Sequence, residues 1–300
     1  MENTIVNNPT KNKKLLNTTT ILIESLSNQS TSRGTGFMFG IMLNAEDMIP
    51  LLITNKHVIE NTHEIKIRLS TSNNNDNSEK NGIIEYTIKD GIDNLIFMHP
   101  DPLIDLAAIN IACILQNIQD RDISGYGVML APQDLTTEEE LSGLDLAEEV
   151  LMIGYPTGLY DEKHNLPIIR QGVIASDPGV DFNGQKHFLI DCACYPGSSG
   201  SPVFMKEKQH IRIDNGLMTV KQQRASLIGI LYAGPLHTIK GAIISNGTRI
   251  ESNVSVETRD VINLGYVIPS SVILDFKDLV LARAPREQVN FSSTHMPFEF

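Results

Sequence analysis

Tryptophan is absent from the 300 residues, and cysteine occurs only three times, as Cys113, Cys192 and Cys194. An odd count leaves at least one thiol without an intramolecular partner. Cys192 and Cys194 stand two apart on an expected strand, where they share a face but an extended backbone resists bridging them. The count argues against a disulfide framework and for free thiols in a reducing compartment. A Cys-x-Cys half-site without a second pair of ligands at suitable spacing gives no metal centre, so no metal and no cofactor are expected. Basic residues are also scarce, 24 against 36 acidic ones, for a formal charge of −12. With no basic stripe, and KNKK at 11–14 too short to make one, nucleic acid is not an expected partner. No apolar run approaches the roughly 18 residues of a spanning helix. The opening stretch MENTIVNNPTKNKKLLNTTTILIES lacks the long apolar core of a secretory signal. A cytoplasmic location without a membrane span is the expectation.

What is present is a chain 41% apolar and 20% charged, long enough for a well-buried core in one large domain or two small ones packed together. Residues 1–17 are polar and read as a flexible N-terminal segment. From residue 18 onward, short runs of Ile, Leu, Val, Phe and Thr alternate with turn residues, at 20–25, 36–43, 51–54, 64–69, 82–88, 95–98 and 106–111. Such runs read as strands, and their spacing suits an antiparallel barrel or sandwich. NNNDNSEKN at 73–81 reads as a polar hairpin loop. Residues 116–149, with Glu138, Glu139 and Glu140 and the weakly helical LDLAEE, read as an acidic linker between an N-terminal half at 18–115 and a second half at 150–269. The second half has strand-like runs at 150–154, 168–176, 186–191, 202–205, 226–232 and 263–268. Val272, Ile273, Phe276, Leu279 and Val280 fall on one face of a helix over 270–284 behind a serine cap, and 285–300 reads as a loosely held tail. The expected class is all-β in two halves with a C-terminal helix. Two barrels with a site between them fit this pattern, and so does one large sandwich.

Chemistry concentrates in three places. YPGSSGSPVF at 195–204 packs three serines between glycines and a proline, either as a surface loop or as a tight turn that lifts one hydroxyl and aims amides at a substrate. A serine hydroxyl needs a base within hydrogen-bond reach, and the base needs an orienting acid. His57, in LLITNKHVIE, follows the end of an apolar strand. Asp105, in HPDPLIDLAAINI, opens one, where a buried carboxylate is costly unless it receives hydrogen bonds. Asp93 and Asp101 are nearby acids, but neither opens an apolar strand. The α/β-hydrolase elbow requires G-x-S-x-G, and Ser201 stands where its last glycine belongs; the order His, Asp, Ser is wrong for that fold as well. GTGFMFG is not a dinucleotide loop, because its spacing is off and a strand continues where a helix should begin.

These motifs resemble those of the trypsin-like (chymotrypsin-fold) serine peptidases. TNKHV resembles the family's T-x-x-H-[CV] histidine motif, DLAAI its D-[IL]-A-[LV] aspartate motif and PGSSGSP its G-x-S-G-[GS]-P nucleophile motif. GTGFMF (34–39) is similar to the strand before the histidine. LMIGYPTG (151–158) and LGYVIPSSVI (264–273) are similar to segments of the HtrA/Deg branch, and LIGILYAG (227–234) to the strand lining the substrate cleft. Seven motifs occur in family order over about 20–284, a match to the peptidase domain that leaves no room for a PDZ domain after residue 285.

The resemblance implies two six-stranded antiparallel β-barrels with a C-terminal α-helix, residues 18–284 forming one peptidase domain. It implies a serine endopeptidase acting on a polypeptide substrate, with Ser199 as nucleophile, His57 as base and Asp105 as its orienting acid. The N–H groups of Gly197 and Ser199 would form the oxyanion hole. Ala193 would floor the specificity pocket, with Cys194, Tyr232, Ala233, Gly234 and Gly265 lining it. A small uncharged pocket predicts cleavage after small or medium apolar residues, narrowed by Tyr232 where a small residue is usual. Ser198 replaces the aspartate that receives a new N-terminus in digestive enzymes, so no zymogen clip is expected. Residues 235–262 form a long insertion between two cleft strands, of the kind that is often functional. The expected function is a regulated intracellular protease with few substrates. The alternative is a silent or partner-activated module serving as an interaction protein, so an activating or regulatory protein is a further expected partner.

Overall fold

The computed structural model describes residues 18–28, 30–44, 47–73, 82–121, 123–206, 209–214, 217–222, 226–241, 244–245, 248–249, 256–283 and 290–297. The expected N-terminal segment 1–17 and most of the polar loop at 73–81 lie outside them.

Twenty-one strands dominate the described residues. The first eight are β1 (Thr20–Leu26), β2 (Thr31–Met42), β3 (Met48–Thr54), β4 (Glu64–Asn73), β5 (Gly82–Asp90), β6 (Ile96–Met98), β7 (Ala107–Asn110) and β8 (Ile123–Tyr126). The next six are β9 (Glu149–Gly154), β10 (Ile168–Ile174), β11 (Phe188–Asp191), β12 (Pro202–Met205), β13 (Gln209–Asp214) and β14 (Leu217–Gln222). They are followed by β15 (Leu227–Ala233), β16 (Leu236–Gly241), β17 (Ile244–Ser245), β18 (Thr248–Arg249), β19 (Val256–Val261), β20 (Leu264–Pro269) and β21 (Asn290–Pro297).

The second half is a closed barrel in the order β10-β11-β20-β15-β12-β9, the six-stranded form expected for it. The first half differs. It is a nine-stranded sheet in the order β21-β5-β4-β1-β2-β3-β7-β6, with β8 also on β4, and no pairing among the described residues closes it. At its edge β21, within the stretch expected to be a loose tail, pairs along the whole of β5 from Pro297 opposite Gly82 to Asn290 opposite Asp90. That pairing satisfies the ladder groups that β5 would otherwise present at an open edge.

The stretch expected to be an acidic linker has structure of its own. It holds most of the helix Ala112–Asp120, then β8 and the short helix Glu138–Ser142. The acidic cluster is the first turn of that last helix, where carboxylates suit the positive end of the backbone dipole. Thr137 caps it: its Oγ1 accepts from Glu140 N at 3.2 Å, and Glu140 Oε2 accepts from Thr137 N at 2.9 Å. At the other end of the chain the expected helix begins as a 3₁₀ segment, Ser270–Asp275, and becomes α-helical over Phe276–Ala282. No serine side chain caps it, because Pro269 precedes the first turn and the Ser270 hydroxyl is buried without a partner.

Three apolar clusters hold these parts. One fills the sheet side with Ile21, Ile23, Leu52, Ile65, Ile67 and Tyr86 among others, and one fills the closed barrel with Met152, Phe188, Ile190, Cys192 and Val203 among others. The third joins the two halves: Phe37, Phe39 and Ile53 of the sheet pack with Phe204, Leu227 and Ile230 of the barrel and with Ile268, Val272 and Phe276. This shared core makes the two halves one packed body, so residues at its rim from opposite halves keep fixed distances.

Candidate active site

Two of the three candidate residues, His57 and Asp105, are joined directly. β3 ends at Thr54, and the chain turns at once into the short helix Lys56–Ile59, which buries Val58 and Ile59 and leaves His57 exposed. Asp105 sits just before β7, on the strand's way into the core. Its main-chain oxygen accepts from Asn55 Nδ2 at 2.7 Å. Its two carboxylate oxygens serve one residue: Oδ1 accepts from the His57 main-chain N–H at 3.2 Å, and Oδ2 accepts from His57 Nδ1 at 2.5 Å. The imidazole is thereby fixed in orientation, with Nδ1 carrying the proton and Nε2 left to accept. The side chains are 46% and 25% exposed, so the pair faces the solvent from a half-sheltered position.

The loop carrying Asp105 is latched from two sides. Lys56 Nζ donates to Asp101 O at 2.8 Å, and burial holds its ammonium below the ordinary lysine range, against the pull of Asp105 and Asp101. His99 is buried; its Nε2 lies 3.1 Å from Asp275 Oδ2 beside the C-terminal helix, and its Nδ1 accepts from Asp101 N at 3.1 Å. The other two acids have local tasks. Asp101 Oδ1 receives Leu103 N at 2.8 Å in a turn, and Asp93 sits in the first turn of the helix Ile92–Leu95.

The serine turn is fastened at several points. Ser198 N donates to Tyr195 O and Ser201 N to Ser198 O, both at 3.0 Å, giving two consecutive turns. Pro196 O accepts from Thr157 N at 2.6 Å, Gly197 O from Thr35 Oγ1 at 3.0 Å and Ser199 O from Thr35 N at 2.8 Å. Gly200 N donates to Leu231 O at 2.8 Å. With those carbonyls engaged, the Gly197 and Ser199 N–H groups have no protein acceptor among the described residues. Gly197 has φ +88° and Gly200 φ +86°, a region that side chains rarely adopt. A Cβ at Gly197 would come within 2.5 Å of Tyr155 O, and one at Gly200 within 1.9 Å of Thr35 O. Both glycines are required by this close approach. Ser198 and Ser201 turn inward, buried and without partners, while Ser199 is half-buried and donates from Oγ to Tyr232 O at 3.4 Å. No hydrogen bond joins Ser199 Oγ to His57 among the described residues.

Thr35 is the residue that sequence reasoning missed. Its main chain and hydroxyl hold Gly197 and Ser199, while its own carbonyl accepts from Thr54 Oγ1 at 2.8 Å and its hydroxyl from Tyr155 N at 3.1 Å. One threonine of the sheet therefore sets the serine turn of the barrel. Its signal was present as the Thr between two glycines in GTGFMF. Asn55, within TNKHV, was likewise unassigned.

The expected pocket residues divide into two groups. Cys194, Gly234 and Gly265 converge: a Cβ at Gly265 would lie 2.6 Å from Cys194 Sγ, and one at Gly234 would lie 3.7 Å from Cys194 Cβ. Ala193 is half-buried, and its carbonyl accepts from Arg170 Nη1 at 2.5 Å, with that guanidinium 4.9 Å from the centre of the Tyr195 ring. The interaction with Cys192 and then burial push the Cys194 thiol up, while the same interaction lowers the Cys192 thiol against the opposing effect of burial. The Tyr232 side chain turns elsewhere. Its hydroxyl meets His187 Nδ1 at 3.0 Å, and its ring packs against His187 and Tyr266. Burial first, then Tyr266 and Asp105, push the Tyr232 phenol up to about 12; burial lowers His187 against the opposing effect of Asp181. A bulge explains the direction, since the register between β15 and β20 shifts between Leu231 and Ala233.

The sequence profile described as the trypsin-like peptidase domain matches residues 34–211, more than half of the chain. The chain belongs to the trypsin-like peptidase domain family. By that membership it is classed with the serine endopeptidases. No curated protein matches it. Solved structures similar to it include the HtrA-type protease AlgW with a tripeptide, at 18% identity over 88% of this chain and 60% of that one, TM-score 0.44. The serine endoprotease from Yersinia pestis is similar at 14% identity over 90% and 66%, TM-score 0.45. The active form of the Rv3671c protease from M. tuberculosis is similar at 16% identity over 96% and 90%, TM-score 0.41. The chain thus spans 60% of the length of the AlgW structures it resembles. Among the described residues no helix is long and apolar enough to cross a membrane.

Proposed function

We propose that this member of the family hydrolyses peptide bonds through a His57–Asp105–Ser199 triad and an acyl-enzyme. The observation that carries this reading is the double engagement of Asp105 by His57, at 2.5 Å through Nδ1 and 3.2 Å through the main chain; a half-buried serine on a turn of positive-φ glycines supports it. Ser199 Oγ leaves Tyr232 O, gives its proton to His57 Nε2 and attacks the scissile carbonyl. His57 then delivers that proton to the leaving amine, and Asp105 stabilises the imidazolium without taking the proton itself. A water repeats the sequence to release the acyl group. The Gly197 and Ser199 amides are the oxyanion donors, and loss of one such donor costs about 3–4 kcal/mol. Ala193, Cys194, Gly234 and Gly265 form a small uncharged pocket, entered past Tyr232 and Ala233.

Three free thiols, Cys192 and Cys194 of them buried, fit a reducing cytoplasmic setting. The long insertion fits a protease with few protein substrates. A second reading, a module held latent until a regulatory partner acts, is favoured by one observation: the Ser199 hydroxyl rests on Tyr232 O and not on His57.

Digestion of denatured casein, with cut sites mapped by mass spectrometry, tests the proposal. Small or medium apolar residues are expected on the acyl side of each cut. Dominant cutting after Arg or Lys would contradict the pocket, and uncut casein in the presence of an unreactive Ser199 would contradict the peptidase reading.

A further inference from the structure

The hairpin loop that carries Asp105 closes on a buried histidine. β6 and β7 pair from Ile96 opposite Ile109 to Met98 opposite Ala107, and one further bond follows, His99 N donating to Leu106 O at 3.0 Å. Asp105 therefore lies inside the loop that His99 and Leu106 close. β6 is the outermost strand at that end of its sheet, and the helix Phe276–Ala282 packs against it. Phe97, Ile104 and Leu106 share one core with Phe276 and Val280. Arg283, just past the helix, donates from Nη1 to Ile96 O at 2.7 Å, with its guanidinium 5.2 Å from the centre of the Phe97 ring.

His99 is the polar link in this contact. Its side chain is 2% exposed, its ring stands edge-on to that of Phe276 with centres 5.7 Å apart, and both ring nitrogens are engaged. Nδ1 faces the Asp101 main-chain N–H at 3.1 Å, a group that can only donate, so Nδ1 carries no proton. Nε2 therefore carries it and donates to Asp275 Oδ2 at 3.1 Å. One tautomer alone serves both partners, an amide of the Asp105 loop on one nitrogen and a carboxylate of the C-terminal helical segment on the other. Asp101 passes the hold on to the base: its carbonyl accepts from Lys56 Nζ at 2.8 Å, and Lys56 directly precedes His57.

We propose that His99 is a positioning residue of the triad: it fixes the Asp105 loop against the C-terminal helix and so sets the distance at which Asp105 meets His57. This inference rests on the triad reading and adds to it a residue that no motif singles out. His99 acts through the loop and not on the reacting atoms, and the quantity it governs is the 2.5 Å bond between Asp105 Oδ2 and His57 Nδ1. A displacement of about 1 Å at such a bond can lower the rate about a hundredfold without touching the substrate pocket. The choice of histidine has a specific reason. Asparagine can present an acceptor to the Asp101 N–H, as Nδ1 does, whereas phenylalanine keeps the ring against Phe276 but leaves that part-buried donor unpaired.

The test compares His99→Phe, His99→Asn and Asp275→Ala in the intact chain, on a casein-derived peptide carrying a bond that the wild type cuts. With the urea midpoint confirming the fold, His99→Phe is expected to lower kcat by about ten- to a hundredfold with KM within about threefold, and His99→Asn to recover most of that loss. Asp275→Ala removes a carboxylate that is 54% exposed, keeps the Asp101 bond and frees the other side of the ring; kcat is expected to fall severalfold with KM unchanged. The downfield proton resonance of the bond between His57 Nδ1 and Asp105 reports the same geometry. It is expected to broaden or move upfield in His99→Phe and to keep its place in His99→Asn. Unchanged kcat in a folded His99→Phe overturns the inference, as does an equal loss in both His99 variants, which assigns the effect to packing. Where His99→Phe does not fold, Asp275→Ala decides, and an unchanged kcat with an unmoved resonance overturns the inference. A wild type that neither cuts the peptide nor takes a fluorophosphonate fails the triad reading; a labelled wild type with unaffected variants fails this inference alone.

Discussion

Replacing Ser199 by alanine is expected to lower kcat on a peptide substrate by about 10⁶-fold while the protein stays folded. The first half follows from the chemistry: the proposed covalent step needs the Oγ, and the neighbouring Ser198 and Ser201 hydroxyls are buried and turned away from it. The second half follows from packing. Ser199 is half-buried, and the contact its hydroxyl makes is a 3.4 Å bond to Tyr232 O. The loop is held through the Ser199 main-chain oxygen on Thr35 N at 2.8 Å, a bond that alanine keeps. A change in unfolding free energy within about 1 kcal/mol is therefore expected, read as the shift in urea midpoint. A variant retaining more than a hundredth of the activity would show that another nucleophile is at work.

Asp105→Asn is expected to lower kcat by about 10⁴-fold with little change in KM. The carboxylate accepts two hydrogen bonds from one residue, and an asparagine can accept only on its oxygen. If its amide NH₂ faces His57 Nδ1, the ring must carry its proton on Nε2, and Nε2 can then no longer take the serine proton. If it turns the other way, the His57 main-chain N–H loses its acceptor and the short helix that holds the ring loses its anchor. Either orientation spoils the base without touching the pocket. Steady-state kinetics at fixed pH, on the casein-derived peptide, separates the two parameters. A loss below about tenfold would mean that Asn55 and Lys56 alone orient the loop.

The site was legible in the sequence to the extent that its signals are local. TNKHV, DLAAI and PGSSGSP each carry one candidate residue at the edge of an element, and the structure brings His57 and Asp105 into contact. The closed barrel of the second half was legible for the same reason, its strands being short apolar runs between turn residues. What escaped depends on distant pairings. Thr35 holds a turn 162 residues away through its hydroxyl, and no local pattern reports such a contact. Among the described residues no pairing closes the first half, and β21, from a stretch too polar to read as a strand, occupies the outer edge of β5. Tyr232 was expected at the pocket wall. A bulge after Leu231 sends its ring toward His187 and Tyr266, and a register shift is invisible without the partner strand. The acidic cluster at 138–140 was read by composition as linker, whereas Thr137 and Glu140 form a reciprocal helix cap.

The central claim is that Ser199 is a nucleophile activated by His57 and Asp105. Intact-mass measurement after exposure to a fluorophosphonate tests it most directly, since the reagent reports an activated serine whatever the natural substrate. One adduct per chain is predicted, mapped to the peptide containing Ser199, absent in Ser199→Ala and formed far more slowly in Asp105→Asn. An unmodified wild-type chain, or an adduct that persists in Ser199→Ala, would contradict the account.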